Sequence, residues 1–194
     1  GASSAEHEAV GIRLYVGDRT GFAYVNRLDD QAIDDAVADA LAIAKASPGD
    51  PANGLVEPLP GRPVQGLWDD DVATMTPDDV VESTAKLLAK ERKIDKRVSV
   101  DNAAFGATTG IAAIASTTGV SCAASEAALT WGLFGMGVDG DEVGSFDHVY
   151  DASRNANDVD IDDVAKRFAE RVLSLLDPRD RRSYKCKVLF SPEA

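Results

Sequence analysis

The stretch GIRLYVGDRTGFAYV, residues 11–25, followed by NRLDDQAIDDAVADALAIAKASPGDPANGLVEP, residues 26–58, decides how the chain begins to fold. Residues 12–16 and 21–25 have the pattern of two short strands. Between them, residues 17–20 read Gly-Asp-Arg-Thr, and glycine and aspartate tolerate the backbone that a tight turn demands. We therefore predict a β-hairpin at the start of the chain.

A helix is predicted directly after the hairpin. Asp29 is placed to cap its first turn, and Leu28 is placed to pack on Ile33 as a hydrophobic staple. Apolar residues then recur at helical spacing until Ser47-Pro48 ends the run: Ile33, Val37, Ala40, Leu41 and Ala44. The first 58 residues thus predict a β–β–α unit.

Three segments carry a resemblance to a known family. The hairpin and capped helix lead into DPANGLVEPLPG at residues 50–61, STTGV follows at residues 116–120, and YKCKVLFSPEA ends the chain at residues 184–194. In this order and spacing they resemble the TldD/PmbA family, also called modulators of DNA gyrase or microcin-processing proteases. The likeness is closest to the PmbA (TldE) branch and extends over nearly the whole chain.

The resemblance implies a function that the residues alone do not give. Members of this family are cytoplasmic metal-dependent proteases that work as two-subunit assemblies, degrade unfolded peptides and mature peptide antibiotics. Their zinc-binding HExxxD/H motif lies on the TldD-type subunit, and PmbA-type subunits lack those ligands. No such motif occurs here, so no catalytic, cofactor-binding or metal residue is assigned to this chain, and whether it is itself an enzyme stays open.

Composition limits the classes of molecule that the chain is expected to bind. The chain has 194 residues, 44% of them hydrophobic, and a net charge of −13, so it has material for a core and a surface that repels nucleic acid and anionic membranes. The expected partners are a peptide or unfolded protein substrate and either a TldD-like subunit or a second copy.

The Asp-rich, Lys-poor balance also fits a halophilic source. The absence of a signal peptide or long apolar run predicts a cytoplasmic protein.

The middle of the chain predicts an irregular connection and a second helix. Prolines punctuate residues 49–74, and we place a domain boundary there, between residues 1–66 and 67–194. Thr76 as cap and Asp79 as its capping-box partner start the helix. The predicted inward face is Val81, Ala85 and Leu88.

Residues 97–150 have the small and β-branched residues and the glycines of a sheet. We predict strands over residues 98–105, 111–115, 120–124, 129–138 and 143–150, with hairpin turns at residues 116–119 and 139–141. Their many Ala and Gly residues leave room for helices to pack on the sheet. Consecutive hairpins predict an antiparallel sheet.

The last part predicts a third helix and a final strand. Asp160 caps the helix, and its apolar face is Val164, Phe168, Val172, Leu175 and Leu176. Residues 184–190 follow as a strand, and Ser191-Pro192-Glu193 is typical of the start of a further helix, as if the chain were truncated. The predicted fold is α+β, an antiparallel sheet flanked by helices and opened by a β-hairpin–helix unit.

Histidines and cysteines offer little catalytic chemistry. His7-Glu8 begins like a zinc motif, but Gly11 and Ile12 stand where a second histidine would be needed, so a flexible terminus is the better interpretation. His148 has acidic neighbours and no marked nucleophile, so we predict a surface or partly buried histidine. Cys122 and Cys186 are predicted to be reduced thiols in strands.

Two literal motif matches are rejected on context. Residues 135–140 read GMGVDG, matching GxGxxG, but the run enters a strand where a dinucleotide site needs a helix. Asp158, Asp160 and Asp162 begin like a calcium loop, yet Asp163 replaces its glycine, so they suit a helix N-terminus better. The Asp69–71 run is likewise expected to be solvated.

Two functions therefore remain from the sequence. One is the non-catalytic N-terminal part of a TldD/PmbA-like protease that admits extended peptides. The other is a structural or partner-binding α+β domain with no proteolytic role.

Overall fold

A computed structural model of the chain describes residues 1–59, 61, 63–91, 93–178, 183 and 185–190. Its elements run in the order β1 (Val10–Val16), β2 (Arg19–Val25), α1 (Asp30–Ala46), α2 (Asp70–Ala73), α3 (Pro77–Glu91), β3 (Val98–Ala115), β4 (Ser121–Asp139), β5 (Glu142–Val143), β6 (Asp147–Ser153) and α4 (Ile161–Ser174). A 3-10 turn, Ala156–Asp158, precedes α4. Antiparallel sheets with helices confirm the predicted α+β fold.

The N-terminal hairpin and helix form as predicted. Val16 pairs with Arg19, so Gly17 and Asp18 make a two-residue turn, and Gly17 has a φ of +63° that favours glycine. A carboxylate oxygen of Asp29 accepts a hydrogen bond of 2.9 Å from the backbone N–H of Ala32. The helix ends at Ser47, its C-cap.

The buried face of α1 agrees with the predicted one at Ala40 and Ala44 and differs from it elsewhere. It is a stripe of alanines at a spacing of four: Ala32, Ala36, Ala40 and Ala44. Val37, predicted to face inward, is exposed. The cause is Gly21 of β2, where a Cβ would lie only 1.9 Å from the carbonyl oxygen of Ala40. Helix and strand approach so closely that larger residues are displaced to the sides.

The connection after α1 contains one helix that the sequence did not predict. No helix or strand is present in the described residues between Ser47 and Asp69, as expected, but the short α2 follows before residue 74. Asp69 caps α2 and also accepts a hydrogen bond of 3.0 Å from the backbone N–H of Ala156. It therefore has a structural role in addition to contact with solvent, tying α2 to the turn before α4.

The start of α3 is confirmed and its inward face is not. The Thr76 hydroxyl donates to the Asp79 carboxylate at 2.6 Å, and the Asp79 N–H donates to the same hydroxyl at 3.3 Å. The buried residues of α3 are Leu87 and Glu91. The predicted face of Val81, Ala85 and Leu88 is rotated away from the core, and Val81 is exposed. Thr84 lies beside this face, and its hydroxyl donates to the carbonyl of Val80.

The sheet has fewer and longer strands than predicted. β3 pairs antiparallel with β4 along its whole length, from Val98 opposite Gly137 to Ala115 opposite Ser121. The strands predicted at residues 98–105 and 111–115 are one strand, because Gly106 and Gly110, interpreted as breaks, continue the ladder. The strands predicted at residues 120–124 and 129–138 are also one strand, since residues 125–128 pair with β3. The strand predicted at residues 143–150 is split into β5 and β6, which both pair with β4. The turns at residues 116–119 and 139–141 are confirmed.

The core lies on one face of this sheet, under α3 and α4. Asp160 caps α4 as predicted, its carboxylate accepting from the Asp163 N–H at 2.9 Å. Val164, Phe168 and Val172 of α4 are fully buried against the sheet, which confirms these residues of the predicted face and the packing of helices on small-residue strands. Leu175 and Leu176, also predicted for that face, follow the end of α4 and are half-buried. None of the described helices is long and apolar enough to cross a membrane.

The strand predicted at the end of the chain is wrong for the residues that can be assessed. Residues 185–190 have no regular structure, and Leu189 is 97% exposed. No described strand lies beside them to supply pairing partners. Residue 184 and the helix start predicted at residues 191–193 lie outside the described part of the chain, and the division into domains 1–66 and 67–194 stays a prediction.

Candidate peptide-binding groove

A groove of about 740 Å³ runs between α3 and β3. One wall is the side of α3 that turned away from the core, with Val81, Ala85 and Leu88. The other is residues 102–107 of β3, and residues 1–4 of the N-terminal segment also contribute. Val81, Ala85 and Leu88, which were predicted from the sequence to face the core, thus line an open groove.

β3 is an edge strand along this groove. β4 pairs with one side of β3, and no described strand pairs with the other. Beyond the N–H of Val98, which donates to Asp95, no backbone hydrogen bond joins this outer side to any described residue. An unpaired strand edge presents backbone donors and acceptors at the spacing of another strand, so an extended peptide can add to it.

The side chains that line the groove are uncharged. None of the side chains that line it carries a charge, in a chain with 27% charged residues. The Thr76 and Thr84 hydroxyls are occupied within α3 and its cap. A bound peptide would therefore be held by main-chain hydrogen bonds on one side and apolar contacts on the other, which suits uncharged sequences and discriminates little between them.

A second pocket, of about 510 Å³, lies between β6 and α4 and contains His148. Burial works to lower the pKa of Arg167, but hydrogen bonds to Asp163 and Asp151 outweigh it and raise that pKa. The Ser174 hydroxyl donates to the carbonyl of Arg171 at 2.6 Å, so the serine among the described lining residues is not poised as a nucleophile. The His148 side chain is 61% exposed, which agrees with the predicted surface histidine.

The other residues considered from the sequence are not brought together. Within the described residues no group of three or more His, Cys, Asp or Glu side chains could hold a metal ion. His7 is in the exposed N-terminal segment. Cys122 and Cys186 are free and exposed, the first in β4 as predicted and the second, contrary to prediction, outside any strand.

The two rejected motifs have the structural context expected of them. Residues 135–139 finish β4 and Gly140 turns into β5, so GMGVDG enters a strand and no helix follows. Asp160 is a helix cap, and Asp158 accepts a hydrogen bond of 2.6 Å from the Ser153 hydroxyl.

Sequence reasoning missed the groove because it misplaced the faces of α3. A signal was present in residues 102–125, which contain no charged residue at all. A run of this length without charge in so acidic a chain indicates a surface meant for contact with another polypeptide.

Comparisons with known proteins give two kinds of match, the first of them to a family model over part of the chain. Residues 1–44 match the family model described as PmbA/TldA metallopeptidase domain 1. This confirms, for the hairpin and α1, the resemblance drawn from the sequence to the TldD/PmbA family. No curated protein matches the chain.

Solved structures extend the likeness beyond residue 44. The chain is similar to TldE from Thermococcus kodakarensis, with a TM-score of 0.70 and 22% identity over 85% of this chain and 37% of that one. It is similar to a proposed DNA gyrase modulator from Thermotoga maritima, with a TM-score of 0.74 and 16% identity over 94% of this chain and 41% of the other. The chain is also similar to a proposed DNA gyrase modulator from Bacteroides thetaiotaomicron. The TM-score is 0.71, with 21% identity over 89% of this chain and 40% of that one.

These similarities show the fold of this chain. They cover only part of each of the solved structures. The chain has the fold found in TldD/PmbA-type proteins and spans about two fifths of their length. For this chain, the activity of the full-length relatives is therefore a proposal.

Proposed function

We propose that this chain is the N-terminal, non-catalytic part of a TldD/PmbA-like metal-dependent protease, of the PmbA/TldE type, and that it holds unfolded or small peptides in extended form. The unpaired edge of β3 beside an uncharged groove is the observation that carries this proposal. The match of residues 1–44 to a metallopeptidase domain supports it independently.

The partners follow from this role. A TldD-like subunit would supply the zinc and the catalytic residues, and this chain would supply binding surface. The net charge of −13 argues against nucleic acid and anionic membranes as partners, and a cytoplasmic location agrees with that of the family.

Peptide binding can be tested with variants of the groove wall. The probe is a fluorescent, N-acetylated octapeptide of Ala, Ser and Val, measured by fluorescence anisotropy. Val81→Asp with Leu88→Asp should weaken binding at least about tenfold, because each buries a charge against the peptide. The control is Val37→Asp, a similarly exposed valine on α1. Equal affinity of both variants would refute the groove as the binding site.

The non-catalytic role has its own test. A catalytic zinc usually needs three protein ligands, often His or Cys, and the chain has two of each. We expect elemental analysis to find no stoichiometric zinc in the chain alone, and no cleavage of an unfolded substrate with or without chelator. Stoichiometric zinc with chelator-sensitive cleavage would overturn this assignment.

A structural or partner-binding domain without proteolytic role is the second candidate. The long exposed part of β3 and β4 favours it, because that surface offers contact area and no chemistry. The full-length gene discriminates the two: a downstream C-terminal half and a neighbouring TldD-like gene support the protease.

A further inference from the structure

The free edge of β3 presents its backbone groups at every second residue. The N–H of Ala127 in β4 donates to the carbonyl of Leu67 at 2.9 Å, so the backbone groups of Ala127 point away from β3. Residues directly opposite each other in an antiparallel pair either exchange hydrogen bonds or both point away from each other. Thr109, the partner of Ala127, therefore turns its N–H and C=O towards the free edge.

The same orientation recurs along the groove. The register of β3 and β4 is unbroken over residues 102–115, so every second residue before Thr109 also points to the free edge. Within the groove these residues are Ala103, Phe105 and Ala107. Each offers one N–H and one C=O, at intervals of about 6.8 Å, and no described residue bonds to them. An added strand would form its hydrogen bonds at these three residues.

The side chains of the same three residues lie on the face covered by α3. Their partners in β4 are all buried under the helices: Leu129, Trp131 and Leu133. The three side chains pack against that core as well. Ala104, which lies between two of them in sequence, is on the opposite face of the sheet and is exposed. The free edge thus has a helix on one side and solvent on the other.

A peptide strand added to this edge would have the same two faces. Neighbouring residues of paired strands share a face, so every second peptide residue would point towards α3, whichever way the peptide runs. There it would meet Val81, Ala85 and Leu88 and no charged side chain. The residues between would lie beside Ala104 and reach solvent. A charged peptide side chain would therefore lose its hydration at one set of positions and keep it at the other.

We propose that the groove selects extended peptides by the placement of their charges. It takes uncharged residues at the three alternating positions that face α3, and it accepts charged or polar residues between them. Half-buried strands of antiparallel sheets have this alternation, whereas helical segments repeat every 3.6 residues and bring charge to both faces. The class of ligand is thus the strand segments of unfolded proteins. This selectivity rests on the proposed function and gives it a substrate class.

The first test compares two fluorescent, N-acetylated heptapeptide amides of identical composition by fluorescence anisotropy. One alternates, Val-Lys-Ala-Lys-Val-Lys-Ala, and the other is shuffled to Val-Ala-Lys-Lys-Val-Ala-Lys, so that any three alternating residues include a lysine. At about 150 mM salt the alternating peptide should bind at least about tenfold more tightly. Equal affinities, with the uncharged octapeptide still bound, would overturn the selectivity alone. No binding of any of the three peptides would overturn the proposed function with it.

The second test places a charge on the open face beside the groove. The alternating lysine peptide should bind Ala104→Glu at least about threefold more tightly than Ala104→Lys, because charges on one face of adjacent strands interact. A peptide with glutamate in place of lysine should show the reverse order. Ala152→Glu and Ala152→Lys are the controls: Ala152 is exposed on the same face of the sheet, in β6, and lies two strands from β3.

The Ala152 variants make the same changes in net charge about 14 Å from the peptide, beyond the range of screened charges. Their affinities for either peptide should therefore differ less than about 1.5-fold. Equal effects of the Ala104 and Ala152 pairs, or no reversal with the glutamate peptide, would overturn the proposal.

Discussion

Replacing Gly21 by alanine should separate α1 from the hairpin. The new Cβ would lie 1.9 Å from the carbonyl oxygen of Ala40 and 2.5 Å from the backbone nitrogen of Ala44, both of which are helix backbone that cannot rotate away. Ordinary contact begins at 3.4 Å, so α1 would have to retreat by about 1.5 Å. A gap of this size removes most contacts of the buried alanine stripe, and we expect a loss of about 3 kcal/mol in the free energy of unfolding.

The assay is urea denaturation followed by far-ultraviolet circular dichroism, which reports the helix directly. Gly110→Ala is the control, because Gly110 also lies in a strand but has no atom within 4 Å of its added Cβ and no positive φ. The control should change stability by less than about 0.5 kcal/mol. If Gly21→Ala costs no more than the control, the close approach of α1 to β2 is wrong.

Three further predictions concern a cap, a titration and the overall charge. Asp29→Ala should cost about 1 kcal/mol and Asp29→Ser much less in the same denaturation assay, because serine can still accept the hydrogen bond from Ala32; equal losses would contradict the cap. The hydrogen bond from the Arg97 side chain, with one from its backbone, lowers the pKa of Asp95 to about 2. Since the folded pKa is lowered, this stabilisation is complete above about pH 4 and is lost as the pH falls towards 2. Asp95→Asn should flatten stability against pH in that window, and a curve parallel to wild type would count against the pairing. Because the net charge is −13, the melting temperature should rise between low and molar KCl, and a flat or falling profile would rule out relief of like-charge repulsion.

The features that the sequence predicted are those decided within a few residues. The Gly17 turn, the Asp29 and Asp160 caps and the pair of Thr76 with Asp79 all act over three or four positions, so the chain itself carries their geometry. The order of helices and hairpins followed from them.

The features that were missed depend on contacts between distant segments. Nothing near α1 in sequence shows that Gly21 will admit the helix backbone, and this contact rotates the helix onto its alanines. Likewise, Gly106 and Gly110 read as breaks until a partner strand is present along their whole length. The groove depends on both the rotation of α3 and the free edge of β3, and the uncharged run of residues 102–125 indicates a contact surface without showing either of them.

The unbroken ladder of β3 and β4 limits how the length of the exposed end of this hairpin, residues 108–125 and here called the ribbon, can change. From Asn102 opposite Phe134 to Ala115 opposite Ser121, every residue has a partner, and the single irregularity lies between Val100 and Asn102. Deleting one ribbon residue would shift the register and turn the core side chains of one strand, such as Trp131, towards the opposite face. Removing two residues from each strand would keep every inward residue inward. Related chains should therefore differ in ribbon length by matched, even numbers of residues on the two strands, with the turn and the core unchanged.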